Sequence, residues 1–282
     1  MADSLTRAKA KLRVRTPLKS RDPRPSAIGR FISGKWGLRL LVYGGLVVAW
    51  QVTAMVKGPF FAPTIPETVV GIGDAWANGY YLTLLDSLRQ MIVGFLLALV
   101  LAIPLGALMG RFRVMEDLFA PYVNTLFVTS KESLLPLFVI IFGTQFGYRV
   151  SVVILFAFFF PVMNTAAGVR FVDQHLVETA RAFCTSRWRM FKEIYLPGAS
   201  PFIVAGIRLG LGMSFKGFVI AEIWVITGTG RLLVEAGSLR ILDTYFAIAL
   251  VIAALGIGTN EVLKALERRL RPYARLGSEG QV

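Results

Sequence analysis

Apolar residues gather into long windows along the chain, matching the run of about 20 that a helix needs to cross a hydrocarbon core of roughly 30 Å. Six windows predict spans: Leu38–Val56, Leu88–Met109, Phe119–Gly143, Val150–Val169, Phe202–Ile226 and Tyr245–Leu263. The first two are nearly free of internal charge and are flanked by Lys or Arg. The third contains Lys131, Glu132, Pro121 and Pro136, so a bent or partly unwound helix is expected there. The fourth holds the run Leu155–Phe160 before Pro161, the fifth carries Arg208, Lys216 and Glu222, and the sixth is clean until Lys264. Between the first two spans, Pro59, Pro63 and Pro66 precede Val69, Ile72 and Trp76 at helical spacing, which predicts a short interfacial helix. The pattern predicts an all-α polytopic membrane protein with six transmembrane helices.

Composition agrees: of 282 residues 55% are apolar and 17% charged, with a mean hydropathy of +0.62, a balance foreign to a water-soluble domain. A net charge of +14 in a polar chain would suggest nucleic acid; in an apolar one the placement of the charges matters more. Eleven basic residues lie in Met1–Arg39, two at Arg111 and Arg113, five between Arg170 and Lys192 and five between Lys264 and Arg275. With six alternating spans these fall on one side, against Lys57, Arg89, Arg149, Arg231 and Arg240 on the other, so both termini are expected in the cytoplasm. Gly58–Ser87, a short Thr144–Tyr148 turn and Thr227–Asp243 then lie outside. The expected organisation is a basic arm (1–37), a transmembrane domain (38–266) and a cytoplasmic tail (267–282).

The arm is Pro-broken, too long for a signal peptide and followed by a span-length apolar stretch, and it reads as a polybasic segment near anionic lipid. Gly29, four residues, Gly34 and Lys35 approach a phosphate-binding loop, but Trp36 stands where Ser or Thr is needed and no strand precedes it. Any nucleotide hydrolysis must therefore come from another chain. One cysteine, Cys184, and one histidine, His175, exclude an internal disulfide, Cys- or His-rich metal sites and His-paired catalysis. No catalytic, metal or cofactor residue is expected.

The segment 171–200, between the fourth and fifth spans, is too polar to be embedded. Leu176, Ala180 and Phe183 with Cys184 repeat at three-to-four spacing, as do Trp188, Phe191 and Ile194 or Tyr195, predicting two short amphipathic helices joined at Thr185-Ser186. Ser186 is placed to cap the second helix, Pro197 to end it, and Gly198 to help the chain turn back. Two apolar faces outside the membrane need something to pack on.

Glu178-Thr179-Ala180, three residues, Cys184, nine residues, Ile194, one residue and Leu196-Pro197 resemble the EAA signature of permease subunits of ATP-driven, binding-protein-dependent importers. Thr179 replaces Ala, and Cys184 replaces the usual Gly between the two helices, where a positive φ would cost strain. Beyond the loop, Pro63-x-x-Pro66, Gly94, Ile103-Pro104-Leu105-Gly106, Leu135-Pro136-Leu137, Phe142-Gly143, Asn164-Thr165, Gly168, Gly206-Ile207-Arg208, Ala221-Glu222 and Gly228-x-Gly230 are similar to the nitrate, sulfonate and taurine branch of these permeases. Ser130-Lys131-Glu132-Ser133 departs from that branch, in which this stretch often bears proline.

The resemblance implies a homodimer of permeases around a shared path for a small anion, with two cytoplasmic ATPase subunits holding ATP and Mg and an extracytoplasmic binding protein. It implies coupling roles for Glu178, Thr179, Ala180, Arg181, Cys184, Ile194, Leu196 and Pro197, and rim pairing of Arg181, Arg187, Arg189 and Lys192 with ATPase carboxylates. Charge inside spans adds candidate path residues: Lys131, Glu132, Asn164, Lys216 and Glu222. Lys131 and Lys216 would attract an anion; the structural alternative pairs Lys131 with Glu132 or Glu222 or lets it snorkel. Phe156, Phe158, Phe159 and Phe160 read as lipid-facing or packing rings, Gly94, Gly106, Gly206, Gly210 and Gly212 as close-approach points, and His175 as a surface residue. A stand-alone secondary carrier or channel for small anions is the alternative, though it leaves the two amphipathic helices without a partner.

Overall fold

The computed structural model describes residues 35–270. The basic arm up to residue 34, with its near phosphate loop, and the tail from residue 271 lie outside the described residues. What is described is helical: α1 (Lys35–Lys57), α2 (Ile65–Ala77), α3 (Tyr80–Arg111), α4 (Arg113–Val128), a 3-10 turn (Lys131–Leu134), α5 (Leu135–Phe142), α6 (Phe146–Ala157), α7 (Phe159–Arg170), α8 (Gln174–Ala182), α9 (Arg187–Met190), a π turn (Phe191–Tyr195), α10 (Leu196–Trp224), α11 (Gly228–Ser238) and α12 (Leu242–Leu270). Five segments are long and apolar enough to cross a bilayer: Arg39–Lys57, Tyr80–Arg111, Phe146–Arg170, Trp188–Trp224 and Leu242–Ala265. The bent pair α4–α5 makes a sixth if it counts as one span. The protein is an all-α polytopic membrane protein.

The chain divides into two units, 1–53 and 54–282. In the first, α1 exposes Leu40, Leu41, Tyr43, Leu46 and Val48 on all sides, as a helix facing lipid does. In the second, α6 and α7 run through the centre between α3 and α10. The most apolar window of that span is 61% buried, against 11% for α12, so one is wrapped by protein and the other largely by its surroundings. Lipid offers no hydrophobic drive for helices to associate, so close backbone approach has to supply the contact. Every fourth residue of α3 along this seam is small: Gly94, Ala98, Ala102, Gly106 and Gly110. A Cβ on Gly94 would stand 2.8 Å from Val153, and one on Gly106 2.5 Å from the Val162 carbonyl oxygen. α10 answers with Gly206, Gly210 and Gly217 against Pro161, Ala157 and Phe156. Gly212, expected to join them, has nothing within 4 Å, because it falls off the 206–210–217 face.

Pro161 cannot donate to the Ala157 carbonyl, and the central span breaks there, at Phe158. The aromatic run packs helices: Phe156 and Phe159 are buried and Phe158 and Phe160 half-buried. Phe127 of α4 meets the Phe160 ring edge-on at 5.3 Å. In the third window Thr129 and Ser130 are extended and Pro136 sits in the first turn of α5, giving a 98° bend.

α2 forms because Thr64 and Glu67 close a reciprocal cap and Pro66 occupies the first turn. Its Gly71 lies against the Asp243 backbone of α12 while Val69 and Trp76 stay exposed. α11 was absent from the expected elements; its glycine-rich sequence hid an amphipathic helix whose Leu232 and Leu233 pack on Ile248 of α12.

Candidate functional site

The segment 171–200 is fastened to the ends of three spans. Arg170 pairs with Glu116 at 2.6 Å, holding α7 to the first turn of α4. The Asp173 side chain accepts from the His175 N–H at 2.8 Å and starts α8. On α8, Val177 is buried and Ala180 packs beside it against Val169, Val172, Met190, Tyr195 and Ala199.

This corrects the expected stripe. Leu176 (58% exposed) and Phe183 (81%) face away from the core, because one turn of α8 suffices to clamp the loop and the opposite apolar side is left over. Trp188, 72% exposed, stacks on Phe191 at 6.1 Å and extends the leftover surface. Leu176, Phe183 and Trp188 thus leave an apolar surface uncovered on the loop and at the loop end of the following span. Glu178, Thr179, Arg181, Cys184, Leu196 and Pro197 are exposed with them, whereas Ala180 and Ile194 are half-buried. Thr179 donates to the His175 carbonyl at 2.7 Å, Arg189 pairs with Glu193 at 3.6 Å, and the side chain of Arg187 lies outside the description.

Cys184 carries the turn at φ 54°. Its N–H donates to the Arg181 carbonyl and that of Thr185 to Ala180, a Schellman closure with a side chain where glycine is the easy choice. Ser186 then accepts from the Arg189 N–H at 3.3 Å.

Pro197 does not end the second helix. The chain runs helically from α9 through the π turn into α10, with the Leu196 N–H reaching the Phe191 carbonyl five residues back. Widening the helix by one residue accommodates a proline that would otherwise clash with the carbonyl four residues earlier. Gly198 likewise stays inside the helix, seated on Val172. The segment Trp188–Trp224 is thus one rod of about 55 Å at roughly 1.5 Å per residue, joining the loop to the far side of the bundle.

At that far end Glu222 of α10, 1% exposed, collects three other elements. Its carboxylate accepts from the Ser87 hydroxyl of α3, from the Thr229 N–H at 2.8 Å and the Gly230 N–H at 3.1 Å of α11, and pairs with Arg149 of α6 at 3.5 Å. The two amides belong to the first turn of α11, where orphan donors and the helix dipole favour a carboxylate. Cβ atoms on Gly228 or Gly230 would collide with Glu222, so this approach requires glycine.

Of the five path residues, Lys131, Glu132 and Lys216 come together at the bend between α4 and α5. Lys216 pairs with Glu132 at 3.4 Å, joining α10 to the bend between α4 and α5. Lys131 pairs with neither Glu132 nor Glu222: its ammonium donates to the Phe127 carbonyl at 3.0 Å and lies over the Phe127 and Phe159 rings. Asn164 donates to the Phe160 carbonyl at 2.8 Å. Ser87, Arg149 and Thr229 were missed as partners of Glu222; the charge of Arg149 near a predicted span end was the one available signal.

A helical bundle with a broken span and an exposed two-helix loop defines a class, the multi-pass membrane protein. Residues 102–272 match the family of binding-protein-dependent transport system inner membrane components. The chain is 32% identical over 239 residues to a probable ABC transporter permease protein of Brucella melitensis biotype 1, covering 84% of this chain and 97% of that one. It is 30% identical to the taurine transport system permease protein of Escherichia coli K12 (81% and 86%) and 29% identical to a putative aliphatic sulfonates transport permease protein of Bacillus subtilis (83% and 87%). The chain belongs to this family: it is the inner-membrane permease component of an ATP-driven importer. It works with a substrate-binding protein and with a separate ATPase subunit, to which ATP hydrolysis belongs.

Proposed function

We propose that two copies of the chain form the path for a small anionic solute of sulfonate, taurine, nitrate or carboxylate type, and that segment 171–200 couples the path to the ATPase. The rod Trp188–Trp224 carries this reading: it joins an exposed apolar surface outside the spans to the buried charges of the opposite end. Glu178, Thr179, Ala180, Arg181, Cys184, Ile194, Leu196 and Pro197 make up the coupling segment, with Leu176, Phe183 and Trp188 as its apolar anchors. Each of two ATPase subunits, carrying ATP and Mg, receives one such loop, and closure of the ATPases pushes the rods. The excess of basic residues near the arm, the loop and the tail puts both termini and the loop in the cytoplasm, with the arm near anionic lipid. The Glu132–Lys216 pair at the bend presents exchangeable charge to an anion, and the names of the sulfonate and taurine relatives support that chemistry. The test is co-purification from membranes with the ATPase. Replacing the exposed Glu178 by Arg should lose the ATPase while the permease stays folded; an ATPase retained at wild-type level overturns the coupling assignment.

A further inference from the structure

A cavity of about 910 Å³ opens where the Arg111 end of α3 meets the segment 171–200. Its walls are of two kinds. Leu108, Phe112, Trp188 and Phe191 supply apolar surface, and Arg111 and Arg181 supply charge. The Arg111 guanidinium lies 5.4 Å from the Phe112 ring and 5.2 Å from the Tyr195 ring, which fixes its position without neutralising it. Among the described residues neither arginine has a carboxylate partner. Arg111 closes an apolar span, and Trp188 and Tyr195 stand beside it; arginine, tryptophan and tyrosine together mark headgroup depth.

Two unneutralised guanidiniums in an apolar cavity at headgroup depth match one ligand chemistry, a phosphate head carrying a hydrocarbon tail. A water-soluble anion would leave the apolar wall unused. We propose that this cavity binds one anionic membrane lipid, its phosphate between Arg111 and Arg181 and its chain along Leu108, Phe112, Trp188 and Phe191. A lipid there touches the Cys184 turn, so the membrane's charge bears directly on the loop. The inference needs only the membrane embedding, and it shares Arg181, Cys184 and Trp188 with the segment proposed to couple to the ATPase.

Cys184 lines the cavity, is exposed, and is the chain's one cysteine, so it reports occupancy. The full chain is placed in nanodiscs of phosphatidylcholine alone or mixed with phosphatidylglycerol, and labelling by the neutral reagent N-ethylmaleimide is timed. Phosphatidylglycerol should slow labelling about thirtyfold, the scale of two guanidiniums beside one anionic head. The double variant Arg111→Gln with Arg181→Gln should erase the difference, and soluble glycerol phosphate added to phosphatidylcholine discs should have no effect. Equal rates in the two lipids, or slowing preserved in the double variant, overturn the proposal. Slowing by glycerol phosphate assigns the site to a free phosphate and overturns the proposal. Native mass spectrometry of the unaltered chain from mixed discs should show one retained phosphatidylglycerol, and its absence overturns the proposal whether or not the variant folds.

Discussion

The rod from Trp188 to Trp224 has two unlike ends. At the loop end the helix is widened by a π turn, its neighbours Leu176, Phe183 and Trp188 lie open, and its charged pair, Arg189 with Glu193, is exposed. At the other end Glu222 is buried, every partner is a hydrogen-bond donor or a cation, and three other helices meet on it. An open apolar surface gains free energy only when something binds it, whereas a satisfied buried carboxylate loses it when anything moves. One end is therefore built to be grasped and the other to hold.

The strongest way to break this contrast is at the holding end. Glu222→Ala leaves the half-buried Arg149 charge and two buried α11 amides without their acceptor, a loss of about 3 kcal/mol by analogy with other broken buried pairs; thermal unfolding in detergent should show a large drop in Tm or no folded protein. A Tm within a degree or two of wild type would mean that the cluster holds nothing. Next comes the seam that carries the rod. Gly106→Val forces a side chain against the Val162 backbone and should cost about 1–3 kcal/mol, read as a lower midpoint of unfolding.

At the grasping end the expected effect lies in binding alone. Phe183→Ala with Trp188→Ala should weaken ATPase association by about 2 kcal/mol or more, as for aromatic anchors in interfaces, with little change in Tm. Titration of the reconstituted permease with the ATPase checks this, and a matching loss of Tm would show that the rings serve the fold instead. Lys216→Met should abolish substrate-stimulated ATP hydrolysis and leave basal hydrolysis intact; unchanged stimulation removes Lys216 from the path. The smallest effect belongs to the turn. Cys184→Gly relieves a side chain held at φ 54° and should raise stability by about 1 kcal/mol, a shift visible as a modest rise in Tm.

Much of the bundle was legible because bilayer thickness sets element length: the windows around Leu88–Met109 and Tyr245–Leu263 lie inside α3 and α12. The loop was legible in its helical spacing and its cap at Ser186. Which side of α8 faced inward was not, since Val177 and Leu176 are adjacent and equally apolar, and only the neighbours Val169 and Val172 choose between them. Pro197 misled because a proline's local rule forbids an α-helical hydrogen bond but tolerates a π turn. Lys131, Lys216 and Glu222 were recognisable as costly charges; Lys216 meets Glu132 and Glu222 meets Ser87 and Arg149, all far away in the chain, while Lys131 turns to Phe127 four residues back.

What this sequence determines alone is whatever depends on near neighbours and on the solvent: an apolar run long enough to span, a basic excess on alternate loops, the Thr64–Glu67 cap and the spacing of the EAA-like segment. What only tertiary structure decides is which side of each helix meets protein. In lipid that choice cannot be read from hydrophobicity, because both faces are apolar; it is made by close approach, where Gly94, Gly106, Gly206 and Gly217 admit a neighbour, and by the buried acceptor Glu222, which calls Ser87, Arg149 and the start of α11 to one point.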